Sequence, residues 1–172
     1  MGPELSYSPN FWSLCLIAPA IIAFALALET FKRKYGQLGR KFAILMAALG
    51  WWSLTYSFEL ASTEESAMRF WMKLEYLGII FCAPMPCLVV RSFLGMPKLH
   101  PYMKLGLWIV PVLTLILQPT NDYHYLFYDA VVLTGNETRS WLTVHAGPWY
   151  TVDSVYVCLL GLLGLTHLVT RM

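Results

Sequence analysis

Trp52, Tyr56 and Glu59 stand at i, i+4 and i+7, a spacing that puts all three on one face of a helix. Trp71, Glu75 and Gly78 repeat that spacing, with Tyr76 beside Glu75, and Trp149, Asp153 and Tyr156 repeat it once more. Asn121 and His124 fall at the same depth in the order of the chain. Each of the three segments lies in an apolar stretch, where an ionisable side chain is costly and faces a cavity or a partner helix. The chemistry this combination suits is binding: convergent carboxylates and aromatic faces hold a small cationic or aromatic ligand. The competing reading is an aromatic belt at the membrane boundary, with acids that reach water. The aromatics taken alone favour the belt; the three acids taken together favour an outward-facing pocket.

Other polar residues read differently. Lys73 lies two residues before Glu75 and so off its face; it is expected to snorkel outward. His124 reads as a hydrogen-bonded loop histidine, because no second ligand stands at metal-binding spacing. His167 reads as a boundary residue, and His100 has no evident partner. The chain carries no GxSxG, HExxH, Walker or dinucleotide-binding motif, and Asp153 has no second span aspartate to form a catalytic carboxylate pair. No catalytic residue, metal site or cofactor is expected, and no enzyme activity.

The elements that position these residues are membrane helices. Of 172 residues, 58% are apolar and 13% charged, about half the charge of an ordinary soluble domain, and mean hydropathy is +0.55. That excludes a disordered chain, a basic nucleic-acid-binding domain and a typical soluble enzyme. Five stretches approach the roughly 20 apolar residues needed to cross a bilayer: 11–27, 42–61, 70–93, 105–118 and 150–169. Pro111 interrupts the short fourth one. No alternating segments separated by turns are evident, which argues against a membrane barrel. The fold class expected is an all-α polytopic bundle forming a single domain over 1–172.

Nine cations, Lys32, Arg33, Lys34, Arg40, Lys41, Arg91, Lys98, Lys104 and Arg171, fall on one side of that arrangement, against Arg69, Lys73 and Arg139 on the other. The richer side is cytoplasmic by the positive-inside rule, which puts the N-terminus outside and the C-terminus inside. The basic inner rim suits anionic lipid headgroups. MGPELSYSPN lacks the basic start of a cleaved signal peptide. Cys15, Cys82, Cys87 and Cys158 all fall within spans and read as buried small apolar residues, without disulfides or zinc. Asn136-Glu137-Thr138 is a glycosylation sequon on the outer side. The long outer connection, 119–149, is rich in aromatics and reads as an ordered lid or binding loop. Pro84 and Pro86 break the middle of the third span, either as a static kink or as a hinge that passes an outer event inward.

Four pieces in order resemble a known family. Trp52-Ser53-Leu54-Thr55-Tyr56-Ser57-Phe58-Glu59-Leu60 resembles the second-helix signature of the N-terminal seven-transmembrane sensor region of bacterial and archaeal histidine kinases. Phe70-Trp71-Met72-Lys73-Leu74-Glu75-Tyr76-Leu77-Gly78-Ile79, continued by Pro84 and Pro86, is similar to its third-helix motif. Asn121-Asp122-Tyr123-His124 looks like its Asn-x-x-His, and Gly147-Pro148-Trp149-Tyr150 with Tyr156 like the start of its fifth helix. The resemblance runs from about Phe11 to Val169 and covers about five of seven helices. It implies a sensory input module of a two-component or cyclic-dinucleotide signalling protein in a bacterial or archaeal cell membrane, coupled to a cytoplasmic PAS, kinase or cyclase domain. No such output domain follows in this sequence, and helices six and seven are not seen.

The reading is a multi-pass sensor that binds an unknown small extracellular ligand and relays a helix rearrangement inward. Its candidate ligand-binding residues are Trp52, Tyr56, Glu59, Trp71, Glu75, Tyr76, Asn121, His124, Asp153 and Tyr156, with Pro84 and Pro86 as the hinge. The expected partners are the lipid bilayer and a second copy or larger oligomer, and no nucleic acid. The alternatives are a small transporter or half-transporter, or a helper subunit whose bundle is completed by another chain.

Overall fold

A capping box starts the first helix. Asn10 Oδ1 accepts from the Ser13 backbone N–H at 3.0 Å while Ser13 Oγ accepts from the Asn10 N–H at 3.0 Å, so two of the helix's orphan donors are satisfied. The computed structural model describes residues 6–33, 35–136 and 139–171. Within them α1 runs Phe11–Lys32, α2 Gly36–Ala61, α3 Glu65–Cys82, α4 Pro84–Phe93 and α5 Pro101–Leu117. A four-residue α6, Asn121–His124, leads into strands β1 (Tyr128–Asn136) and β2 (Arg139–Ala146), and α7 spans Pro148–Arg171. Lys34 lies outside the described residues, as do Glu137 and Thr138 of the sequon.

Three helical stretches, Phe11–Lys32, Glu65–Phe93 and Pro148–Arg171, are long and apolar enough to cross a membrane; Pro101–Leu117 is apolar but shorter. α2 packs on α1, α3 and α4, and α7 on α4 and α5. α1 and α2 are tied at one end by polar bonds: Asn10 Nδ2 donates to the Leu60 carbonyl at 2.6 Å and Ser57 Oγ to the Ser13 carbonyl at 2.7 Å. Small residues set the helix spacing. A Cβ built on Gly78 would lie 2.6 Å from the Ala48 carbonyl oxygen, so α3 crosses α2 backbone to backbone, the close approach that membrane bundles favour.

The long connection between α5 and α7 is not a plain loop. β1 and β2 pair antiparallel from Tyr128↔Ala146 to Asn136↔Arg139, with an irregularity between Tyr128 and Ala130. This hairpin was not expected from the sequence. It is a single two-stranded ribbon, so the bundle remains overwhelmingly helical. Its base is held by Gly147, whose N–H donates to the Phe127 carbonyl at 2.9 Å. A Cβ there would meet the Leu126 oxygen at 2.5 Å, which is the physical reason the Gly147-Pro148-Trp149 run must begin with glycine. Phe127 and Tyr128 form a core cluster with Met72 and Tyr76 of α3, against which Val131, Leu142, Trp149 and Tyr150 pack. A second cluster, Leu45, Met85 and Leu88, lies toward the other end.

The third span divides at Ala83, between α3 and α4. Pro84 and Pro86 have no N–H, so the carbonyls four residues earlier, Ile80 and Cys82, lose their helical donors. Two expectations need correction. Of the four free cysteines only Cys87 is buried; Cys15 and Cys158 are exposed on the helix surfaces and Cys82 is half-buried. Their helices present apolar outer faces, and a thiol is tolerated there as a small apolar group. Lys73 does not simply snorkel: its Nζ pairs with Asp122 Oδ2 at 2.8 Å, tying α3 to α6.

Candidate functional site

Glu59 of α2 and Glu75 of α3 meet across the helix interface, carboxyl against carboxyl, with the Trp52 indole beside Glu75. Glu75 is 6% exposed, and its Oε1 has no hydrogen-bond donor among the described residues. The Gly78 crossing explains the proximity. One turn below the acid the two backbones are too close for a side chain, so Glu75 is held against α2. A carboxylate accepts but does not donate, so two carboxyls in contact share a hydrogen bond only when one of them carries a proton.

Tyr76, next along α3, turns to the hairpin. Its hydroxyl lies 2.6 Å from that of Tyr128, and its ring stands edge-on to Phe127 with centroids 5.2 Å apart. Burial pushes the Tyr128 phenol above its ordinary range, so it stays neutral and serves as a hydrogen-bonding group.

Asp153 of α7 accepts from Thr114 Oγ1 at 2.8 Å, and Thr114 Oγ1 accepts from the Trp149 indole at 3.0 Å. Tyr156 donates to the Leu107 carbonyl on α5. Asp153 and Tyr156 thus bind α7 to α5; Tyr76 lies within electrostatic range of Asp153, and Tyr128 within range of both glutamates.

The remaining candidates hold the frame. Asn121 is buried, and its amide serves the hairpin base: Oδ1 accepts from the Phe127 and Tyr128 N–H groups at 2.8 and 3.0 Å, and Nδ2 donates to the Tyr128 carbonyl at 2.8 Å. His124 accepts the Leu126 N–H on Nδ1 at 3.0 Å, while its Nε2 faces Thr120 Oγ1 at 3.1 Å. A neutral ring protonated on Nε2 satisfies both contacts. Trp71 stacks on Phe58 at 4.7 Å and donates to the Tyr7 hydroxyl at 3.2 Å, away from Glu75. Trp52 and Tyr56 are each 38% exposed.

One residue was missed. Gln118, at the end of α5, is 1% exposed, and neither its Nε2 nor its Oε1 has a partner among the described residues. Its only signal in the sequence is an amide closing an apolar span, which reads equally well as a span end. Among the described residues no group of three His, Cys, Asp or Glu side chains could hold a metal ion.

A model of the N-terminal 7TM region of histidine kinase matches residues 15–172. The chain belongs to that family. The match covers nearly all of the sequence, including every candidate site residue from Trp52 to Tyr156. No curated protein and no solved structure gives a significant match. As a member of the histidine-kinase 7TM family the chain is a membrane protein of the sensory input kind, a region that is not itself catalytic. The motif residues of the second and third helices now have physical roles: Glu59 and Glu75 form the polar contact between those helices, and Gly78 permits it.

Proposed function

We propose that the chain senses a small ligand through the polar cluster around Glu59 and Glu75 and passes the result along α3 and α4. The observation that carries this reading is Glu75, an acid inside an apolar bundle whose Oε1 has no donor among the described residues. Buried polar groups in native proteins are almost always paired, and an orphaned one marks a place where a polar partner stabilises one state over another. A ligand bearing an ammonium group supplies the missing donors, and the neighbouring indole and phenol rings suit its charge.

A ligand shifts an equilibrium only through differential affinity for its two states. Here the two states are the Glu59–Glu75 contact closed on itself and the same contact opened around the ligand. The break at Ala83 lets α4 respond without α3 bending as a rigid rod. The N-terminus outside and the basic end in the cytoplasm complete the proposal, with the hairpin covering the outer end of the sensing cluster.

Calorimetric titration of the purified protein in nanodiscs with a panel of primary, quaternary and aromatic ammonium compounds tests this. Binding is expected for at least one member, weakened at least about tenfold, or about 1.4 kcal/mol, in Glu75→Gln and in Glu59→Gln. Asp153→Asn, which keeps an acceptor for Thr114, is expected to change affinity less. No binding by any member, or equal affinity in the glutamate variants, overturns the proposal.

A further inference from the structure

At the end of the bundle far from the hairpin, four separate segments bring one cation each to a cavity of about 660 Å³: Lys41 from α2, Arg91 from α4, Lys98 from the connection after it, and Lys104 from α5. No Asp or Glu lines that cavity. The contrast with other cations is direct. Arg33, Arg69 and Lys73 each have a carboxylate within 2.8 Å, whereas among the described residues none of the four cavity cations makes an ion pair. Lys41 Nζ donates to Ser92 Oγ at 2.5 Å, and Arg91 Nη2 to the Pro97 carbonyl at 3.0 Å. Two of the four are thus held in place by neutral acceptors that leave their charge uncompensated. Like charges gathered on a partly buried wall repel one another, and an anion between them removes that cost.

The cavity has an apolar neighbour. A groove of about 530 Å³ runs between α1, α2 and α4, lined by residues including Phe42, Val89 and Phe93, and Leu38 lines both spaces. A charged recess opening beside an apolar groove matches a molecule with an anionic head and a hydrocarbon tail. We propose that this cavity binds a phosphate group, with Lys41, Arg91, Lys98 and Lys104 as its ligands and the adjoining groove favouring the headgroup of an anionic phospholipid over a soluble phosphate. Guanidinium and ammonium groups form charge-assisted hydrogen bonds to phosphate oxygens, and basic recesses between membrane helices hold such headgroups. A general attraction of basic residues to an acidic membrane surface needs no cavity and treats all cations alike, which gives the test its control.

Native mass spectrometry of protein released from nanodiscs counts retained lipid. The nanodiscs contain phosphatidylcholine alone or with phosphatidylglycerol. Retention of phosphatidylglycerol above phosphatidylcholine is expected. It should fall about fivefold in Lys41→Gln or Lys104→Gln and roughly a hundredfold in the triple variant with Arg91→Gln. The single variants carry the test if the triple variant does not fold. Lys32→Gln, Arg33→Gln and Arg171→Gln together remove equal charge outside the cavity and should leave retention within about twofold. Titration with inorganic phosphate forms the second arm. Phosphate binding that needs Lys41 and Lys104 without lipid retention supports the site and assigns it a soluble phosphate. Equal loss in the cavity and control sets, or binding of neither lipid nor phosphate, overturns the proposal.

Discussion

Each of the two buried phenols Tyr76 and Tyr128 is the other's hydrogen-bond partner, at 2.6 Å. Replacing one by phenylalanine leaves the other hydroxyl buried and unpaired, a cost of about 1–2 kcal/mol. Tyr76→Phe and Tyr128→Phe are each expected to lower the thermal midpoint, and the double variant to lose less than the sum of the two. Additive losses would show that the hydroxyls do not depend on each other. Asn121→Ala removes three bonds to the hairpin base and should cost about 2–3 kcal/mol, with β1 and β2 becoming the first segments cut in limited proteolysis; unchanged cleavage would argue against that role. The sequence made Asn121 legible as a residue of consequence, because a polar amide beside an apolar span needs partners. It could not show that those partners are backbone groups six and seven residues on. Glu59 and Glu75 were legible only as two of three acids in apolar spans, alongside Asp153, and their direct contact was not; Gln118 was not legible at all, since a span end and a buried amide look alike in one dimension.

α2 and α3 touch through Gly78, and the contact is steric before it is chemical. Gly78→Ala places a methyl carbon 2.6 Å from the Ala48 carbonyl oxygen, and because both partners are backbone the helices must part, at about 1–3 kcal/mol. Gly106→Ala on α5 meets nothing within 4 Å and should be neutral or slightly stabilising. Comparing their unfolding in the same detergent checks the pair, and equal effects would refute the close crossing. The helices were readable because twenty-residue apolar runs leave few alternatives in a bilayer. The hairpin was hidden because its pattern is mixed. Val131 and Leu142 pack inward, yet Val132, Leu133, Trp141 and Val144 are exposed, so hydrophobicity alone does not mark one face. The break at Ala83 was readable from Pro84 and Pro86, but not its use. Pro84→Ala with Pro86→Ala restores donors to the Ile80 and Cys82 carbonyls. It should leave stability equal or higher while abolishing any ligand-driven movement of α4; a movement that persists would make the prolines a static kink.

At the scale of the molecule, one end gathers the hairpin and the buried acids, and the other gathers Lys41, Arg91, Lys98 and Lys104 around a cavity. That polarity was legible as a count of cations along the chain, because charge placement follows from membrane insertion rather than from packing. What no count could supply is that four of them share one recess. The polarity also sets an expected orientation. With the native cysteines replaced by alanine, Thr134→Cys on β1 should react with a membrane-impermeant maleimide on intact cells, and Lys98→Cys only after permeabilisation; the reverse pattern would invert the arrangement. The central claim joins the two ends, since occupancy near Glu75 must be felt beyond Ala83. The most direct measurement is the spin-label distance between Phe93→Cys on α4 and Thr166→Cys on α7, with and without a saturating ammonium compound selected by calorimetry. The expected result is a shifted distance distribution in the parent protein and none when Glu75→Gln is added. An identical distribution with and without bound ligand would contradict a sensory relay through these helices.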